Sequence, residues 1–114
     1  MTVKRWQEQR AARRTLLEQE LERIVRVLRG MGAQRIVLFG SVARETVTAW
    51  SDLDLIVVLD SDLPFIKRLG LLYEQIQPHV GLDLLAYTPE EFEALRERPF
   101  IRQAMQEGRV LYEA

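Results

Sequence analysis

Asp52 and Asp54 stand two residues apart at the entrance of an apolar run, Leu53 to Leu59. A strand side chain changes face at each step, so both carboxylates point the same way, about 7 Å apart along the chain. Aspartate is disfavoured in strands, and two carboxylates at the mouth of a greasy one are costly unless a cation pairs with them. Hard divalent cations take carboxylate oxygen, and Mg2+ usually sits on one or two carboxylates together with substrate phosphates. The plainer alternative is that both aspartates cap the strand or pair with surface arginines. Asp83 adds a carboxylate of the same kind, the one charge inside a further apolar run from Val80 to Tyr87. If the two strands are neighbours, all three carboxylates face one site, where without a cation they repel and push their pKa values upward. Two Mg2+ ions would relieve that repulsion and hold the attacking and leaving oxygens of an in-line phosphoryl-type displacement. The alternative for Asp83 is a rim residue bonded to an arginine or to a helix N-terminus.

Gly40 and Ser41 follow a third apolar run, Ile36 to Phe39. Glycine lets backbone approach a ligand closely, and a helix start after a strand offers free N–H groups to an anion. A lone Gly-Ser turn has little meaning by itself. The chain carries neither a Gly-Lys-Ser/Thr phosphate loop nor Gly-x-Gly-x-x-Gly, so the P-loop and dinucleotide-fold readings lack their fingerprints. With no cysteine, thiolate metal sites and disulfides are excluded. The single histidine, His79, follows Pro78 in a turn and reads as a surface residue. Trp50 either stacks on a base or, as the stronger expectation, packs on the sheet.

The elements that must position these groups read as alternating helix and strand. Leu17, Leu21, Ile24, Val25 and Leu28 recur at helical period, giving an amphipathic helix over about 6–29 that Gly30 and Gly32 end. Residues 7–15 carry no such stripe and are expected to be exposed or to lie against a partner. Strands follow at 35–39 and 53–59, with a short helix at 42–46 between them. Asp60, Ser61 and Asp62 are expected to cap a helix over 65–77, with Pro64 near its first position. After the strand at 80–87, Thr88-Pro89-Glu90-Glu91 reads as a capping box opening a helix to Arg98. A short helix from Phe100 to Glu107 and an edge strand at 109–112 complete the chain. The order points to an α/β (α+β) fold, a small mixed sheet with helices packed on it. At 114 residues, one domain over 1–114 is expected, with its catalytic core at about 35–112.

The net charge of −1 gives no overall pull toward nucleic acid or membrane. It hides an asymmetry, since residues 1–30 carry eight Lys/Arg against four Glu and residues 31–114 carry eight against thirteen acids. The apolar runs are far too short to span a membrane, and the charged N-terminus lacks a signal-peptide core. A cytoplasmic chain that binds neither membrane nor nucleic acid directly is expected.

Gly40-Ser41, ten intervening residues, then Asp52-Leu53-Asp54 resembles the signature of the polymerase-β-like nucleotidyltransferases. The fuller string, GSVAR followed by SDLDLIV with Ala43, Arg44 and Ser51, is similar to the minimal nucleotidyltransferases of bacteria and archaea. The resemblance implies that Asp52, Asp54 and Asp83 bind two Mg2+ ions and that Asp83 assists deprotonation of an acceptor hydroxyl. It places the β- and γ-phosphates of ATP or another NTP at Gly40 and Ser41. Arg44 either touches phosphate or forms a structural salt bridge. It further implies transfer of AMP to a partner protein, the chain acting as antitoxin to a HEPN-domain toxin. Two alternatives are a small-molecule (antibiotic-type) nucleotidyltransferase and a non-catalytic antitoxin that acts by binding alone.

Overall fold

The computed structural model describes residues 2–114. Its first helix, α1 (Val3–Gly30), starts three residues earlier than its apolar stripe predicts, because the Thr2 hydroxyl accepts the Arg5 N–H as an N-cap. Four further helices follow among the described residues: α2 (Gly40–Ala43), α3 (Phe65–Ile76), α4 (Pro89–Leu95) and α5 (Pro99–Glu107). The strands are β1 (Arg35–Phe39), β2 (Leu53–Val58), β3 (Leu82–Tyr87) and β4 (Arg109–Glu113).

The strands form one mixed sheet in the order β3-β2-β1-β4. β1 runs antiparallel to β2 and to β4, whereas β2 and β3 are parallel and joined by the α3 crossover. Both faces are covered, which is why β1 and β2 read as unbroken apolar runs. On one face Leu17, Leu21, Ile24 and Leu28 of α1, with Leu72 and Ile76 of α3, pack on Ile36, Leu38, Leu55, Val57 and Leu84. On the other, Phe92 of α4 and Ile101 and Ala104 of α5 cover Val37, Ile56 and Val58.

Two buried charged groups staple the layers together. Glu20 accepts hydrogen bonds from Arg23 and from the His79 N–H, while Arg23 donates to the carbonyls of Ile76 and Gln77. α1 is thereby tied to the end of α3. Arg68 of α3, only 3% exposed, donates to the carbonyls of Leu63 and Ala86 and to Glu91, fixing the β3 end and α4.

The capping box at Thr88 forms as expected. The expected cap of α3 does not. Pro64 itself is the N-cap residue with no side-chain cap bond, because the Ser61 hydroxyl is engaged by the Leu63 N–H two residues on. β3 begins at Leu82 rather than Val80, so Gly81 precedes it. His79 is at the surface as expected, its side chain 69% exposed.

Candidate functional site

In the parallel pairing of β2 with β3, Asp54 lies directly opposite Asp83. Both project to the face that α4 and α5 cover, since they share the alternation of Ile56 and of Leu85. That cover stops short of the strand beginnings, so the two carboxylates sit side by side at the open end of the core. Burial, then the charge of Asp83, a hydrogen bond with it and the charge of Asp52 push the Asp54 carboxyl up to about 6, with Arg44 pulling the other way.

Gly40 closes the site from the β1 side. Its φ of +74° is the left-handed region that glycine adopts freely. A Cβ at this position would overlap the Asp54 carboxylate, so the glycine lets the Gly40-Ser41 turn lie flat against it. The Ser41 hydroxyl donates to the Ser51 hydroxyl at 3.4 Å, and Ser51, which is buried, accepts from the Thr48 N–H at 2.8 Å. The loop from α2 to β2 is therefore braced across its base by Ser51, just before Asp52.

Asp52 is half-exposed and turned toward α1. Its Oδ1 accepts from Arg13 Nη2 at 3.1 Å, and Arg13 Nε donates to the Ser51 carbonyl at 2.9 Å. Its carboxylate rests where a Cβ of Gly81 would stand. Pairing with an arginine was the plainer expectation for this residue, and Arg13 supplies it. Among the described residues no group of three or more His, Cys, Asp or Glu side chains is gathered into a ready cation cage. Arg44 meets Glu107 at 3.5 Å, the ion-pair alternative for that residue.

Three positioning residues escaped the sequence reading. Tyr73 of α3 reaches the outer edge of β3, where its hydroxyl donates to the Leu82 carbonyl at 2.6 Å and accepts the Leu84 N–H at 3.1 Å. Those two groups flank Asp83. Gly81 makes room for Asp52. Arg13 was readable in principle, since it lies one turn before Leu17 on the core-facing stripe, a cation where an apolar residue is expected. The expectation that Trp50 packs on the sheet is overturned. It is 83% exposed, because β2 begins only at Leu53 and Ser51 takes the inward position in the preceding turn.

The donor set suits a hard divalent cation. Asp54 and Asp83 supply adjacent oxygens, and the Asp54 pKa is raised by burial first and by the neighbouring carboxylates second, both of which a bound cation would offset. Asp52 lies near enough for its charge to act on Asp54, while its Oδ1 is held by Arg13. A partly open hollow of about 60 Å³ lined by Arg14, Leu17, Val42 and Arg109 lies on the α1 side of the sheet, away from these groups. Chemistry rather than concavity locates the site.

Comparisons with known proteins bear on the family and the fold. The family of the nucleotidyltransferase domain matches residues 18–112. MJ0604 of Methanocaldococcus jannaschii, named for protein adenylyltransferase activity on the strength of assignment, is 34% identical over 83 residues, covering 69% of this chain and 78% of its own. A crystal structure assigned to a nucleotidyltransferase of Sulfolobus solfataricus superposes with a TM-score of 0.66 over 92% of this chain and 87% of that one; at 14% identity it speaks to the fold alone. A toxin–antitoxin complex with AMP-PNP contains a chain 26% identical, with a TM-score of 0.55 over 82% of this chain and 73% of that one. A mutant of the toxin–antitoxin pair MntA–HpeT gives 26% identity and a TM-score of 0.53.

Proposed function

Because this chain belongs to the nucleotidyltransferase domain family and is of the minimal type, we propose that it transfers AMP from ATP to a hydroxyl of a partner protein. The partner on this reading is a HEPN-domain toxin, and the chain is its antitoxin. The observation that carries the reading is the Asp54–Asp83 pair beside the Gly40-Ser41 turn. The name of MJ0604 and the toxin–antitoxin complex with AMP-PNP support the adenylyl and partner parts of it.

Asp52, Asp54 and Asp83 would hold divalent Mg2+, two ions on this reading. When bound, such ions supply Lewis-acid stabilisation of charge on the phosphate oxygens. The chain's own residues do the rest. The Gly40-Ser41 turn, braced by Ser51, offers backbone N–H groups and a hydroxyl to the β- and γ-phosphates. The acceptor oxygen bonds to the α-phosphorus as the bond to the α,β-bridging oxygen breaks, and pyrophosphate leaves with that oxygen. The acceptor proton passes to Asp83, which Tyr73 holds in place through the backbone on either side. Arg44 exchanges Glu107 for phosphate.

Intact-mass spectrometry tests this. The full chain is incubated with ATP, Mg2+ and a HEPN-domain protein encoded beside it, and the partner is expected to gain one AMP. The double variant Asp52→Asn with Asp54→Asn is expected to lose transfer by about 100-fold or more, the scale of removing groups that meet developing charge. A tight complex with no mass gain would replace catalysis by neutralisation through contact. Undiminished transfer by the double variant would sink the site assignment.

A further inference from the structure

We propose that Arg13 is a gate on Asp52, holding its carboxylate in the cation-free chain and releasing it when a divalent cation binds. The inference rests on the reading of Asp52 as a metal ligand. Arg13 continues the buried stripe of α1, Leu17, Leu21, Ile24 and Leu28, back by one turn. There the helix has run past the sheet, and residues 2–16 are exposed except Arg13. Its guanidinium reaches the mouth of β2 as a fork, Nε on the Ser51 carbonyl and Nη2 on Asp52 Oδ1. Among the described residues, Arg13 makes the only side-chain hydrogen bonds from 2–16 to the rest of the chain; those of the Thr2 and Thr15 hydroxyls stay within this segment.

A guanidinium and a divalent cation at one carboxylate repel each other across a few ångströms. The Asp52 carboxylate is half-exposed and the pair lies at the surface rather than in the core, so its hold is weak and reversible, within reach of what a cation gains. The Asp52 carboxylate also lies close against Gly81, where even a Cβ would collide with it, so a cation arriving at this carboxylate meets Arg13 at close range. Cation binding and the seating of the first half of α1 are then mutually opposed, and by linkage each weakens the other equally. Anything that draws the α1 arm away would open Asp52 to the cation.

Mn2+ alone, titrated calorimetrically into the full chain without nucleotide, tests the gate. Arg13→Gln is expected to tighten Mn2+ binding by about two- to fivefold, the span that pairs between exposed charges carry. Arg13→Lys, which keeps the charge but not the fork, is expected to fall between the two. Deuterium uptake over residues 3–13 is expected to rise when Mn2+ is added to the parent chain and to be high and Mn2+-insensitive in Arg13→Gln. Unchanged or weaker Mn2+ binding by Arg13→Gln, with circular dichroism intact, overturns the gate, weaker binding meaning that Arg13 orients Asp52 for the cation. Asp52→Asn separates the two layers of the argument. If it weakens Mn2+ binding while Arg13→Gln changes nothing, the metal reading stands and the gate falls. If it leaves Mn2+ binding untouched, both fall.

Discussion

Asp54 concentrates the electrostatic cost of the site. Its carboxyl holds a proton up to about pH 6, against 3.8 for the free group, through burial first and Asp83 second. The folded chain therefore binds that proton more tightly than the unfolded chain does. The associated stability is fully present below about pH 3.8 and is lost as pH rises through about 6. A shift of this size corresponds at face value to roughly 3 kcal/mol. The group is only half-buried, and solvent screening cuts the figure to about 1 kcal/mol. Asp54→Asn is accordingly expected to stabilise the cation-free chain by about 1 kcal/mol at pH 8 and to leave it almost unchanged at pH 4. Urea unfolding in the presence of a chelator at the two pH values checks this, and equal midpoints for variant and parent at pH 8 would refute it. At this scale the sequence is informative about residue type: three aspartates in apolar runs need a reason, and the sheet brings two of them together. It is silent on which way Asp52 turns, because Arg13 lies 39 residues away and only the packing of α1 brings it near.

At the scale of elements, the site depends on an edge strand held by a helix. β3 has β2 on one side only, so alternate N–H and C=O groups on its outer edge have no ladder partner. Tyr73 satisfies two of them, on either side of Asp83, and thereby sets the pitch at which that carboxylate leaves the strand. Tyr73→Phe is expected to cost about 1 kcal/mol of stability, the net worth of an ordinary hydrogen bond. Its effect on transfer should be larger, about a tenfold fall in kcat with the KM for ATP nearly unchanged, since misplacing a reacting group penalises chemistry before binding. A stability loss with no change in kcat would reduce Tyr73 to a structural clasp. Local signals made most elements legible: the capping box at Thr88, the stripe of α1 and the apolar runs of β1 and β2 depend on neighbours in sequence. The register of β2 on β3 and the reach of Tyr73 do not. The missing cap of α3 shows the same limit, because Ser61 had two local uses and the chain takes the turn.

On the scale of the whole molecule, α1 is longer than the body it covers. Its 28 residues extend about 42 Å at 1.5 Å per residue, yet its buried positions begin only at Leu17. The segment before that carries Lys4, Arg5, Arg10, Arg13 and Arg14 against Glu8, and so contributes all of the positive excess that the sequence places in residues 1–30. The missing apolar stripe over 7–15 was thus a correct sign of an unpacked segment, while its helicity follows from the Thr2 cap and continuity with the buried half. Trp6 is 44% exposed and shares the Arg13 face, since seven residues bring a helix almost back to the same angle. Stability should then be divided unevenly along α1. Removing residues 2–11 deletes exposed side chains and keeps Arg13, Leu17 and the Glu20–Arg23 staple to α3. The truncated chain is expected to unfold within about 2 °C of the parent, as surface changes away from packed features usually do. Glu20→Ala, which leaves the His79 N–H and Arg23 without their buried acceptor, is expected to lower stability by about 2–3 kcal/mol, the upper part of the cost of leaving a hydrogen-bonding group without its partner. Burial pushes the Glu20 carboxyl up, but Arg23 and the His79 N–H outweigh it and hold the pKa below its ordinary 4.5. Its stabilisation is therefore present above about pH 4.5 and disappears as pH falls through the lowered value, so the penalty of Glu20→Ala should be larger at pH 7 than at pH 3. Thermal unfolding of the two variants at both pH values measures the division, and an arm deletion as damaging as Glu20→Ala would show that the first half of α1 is part of the folding unit.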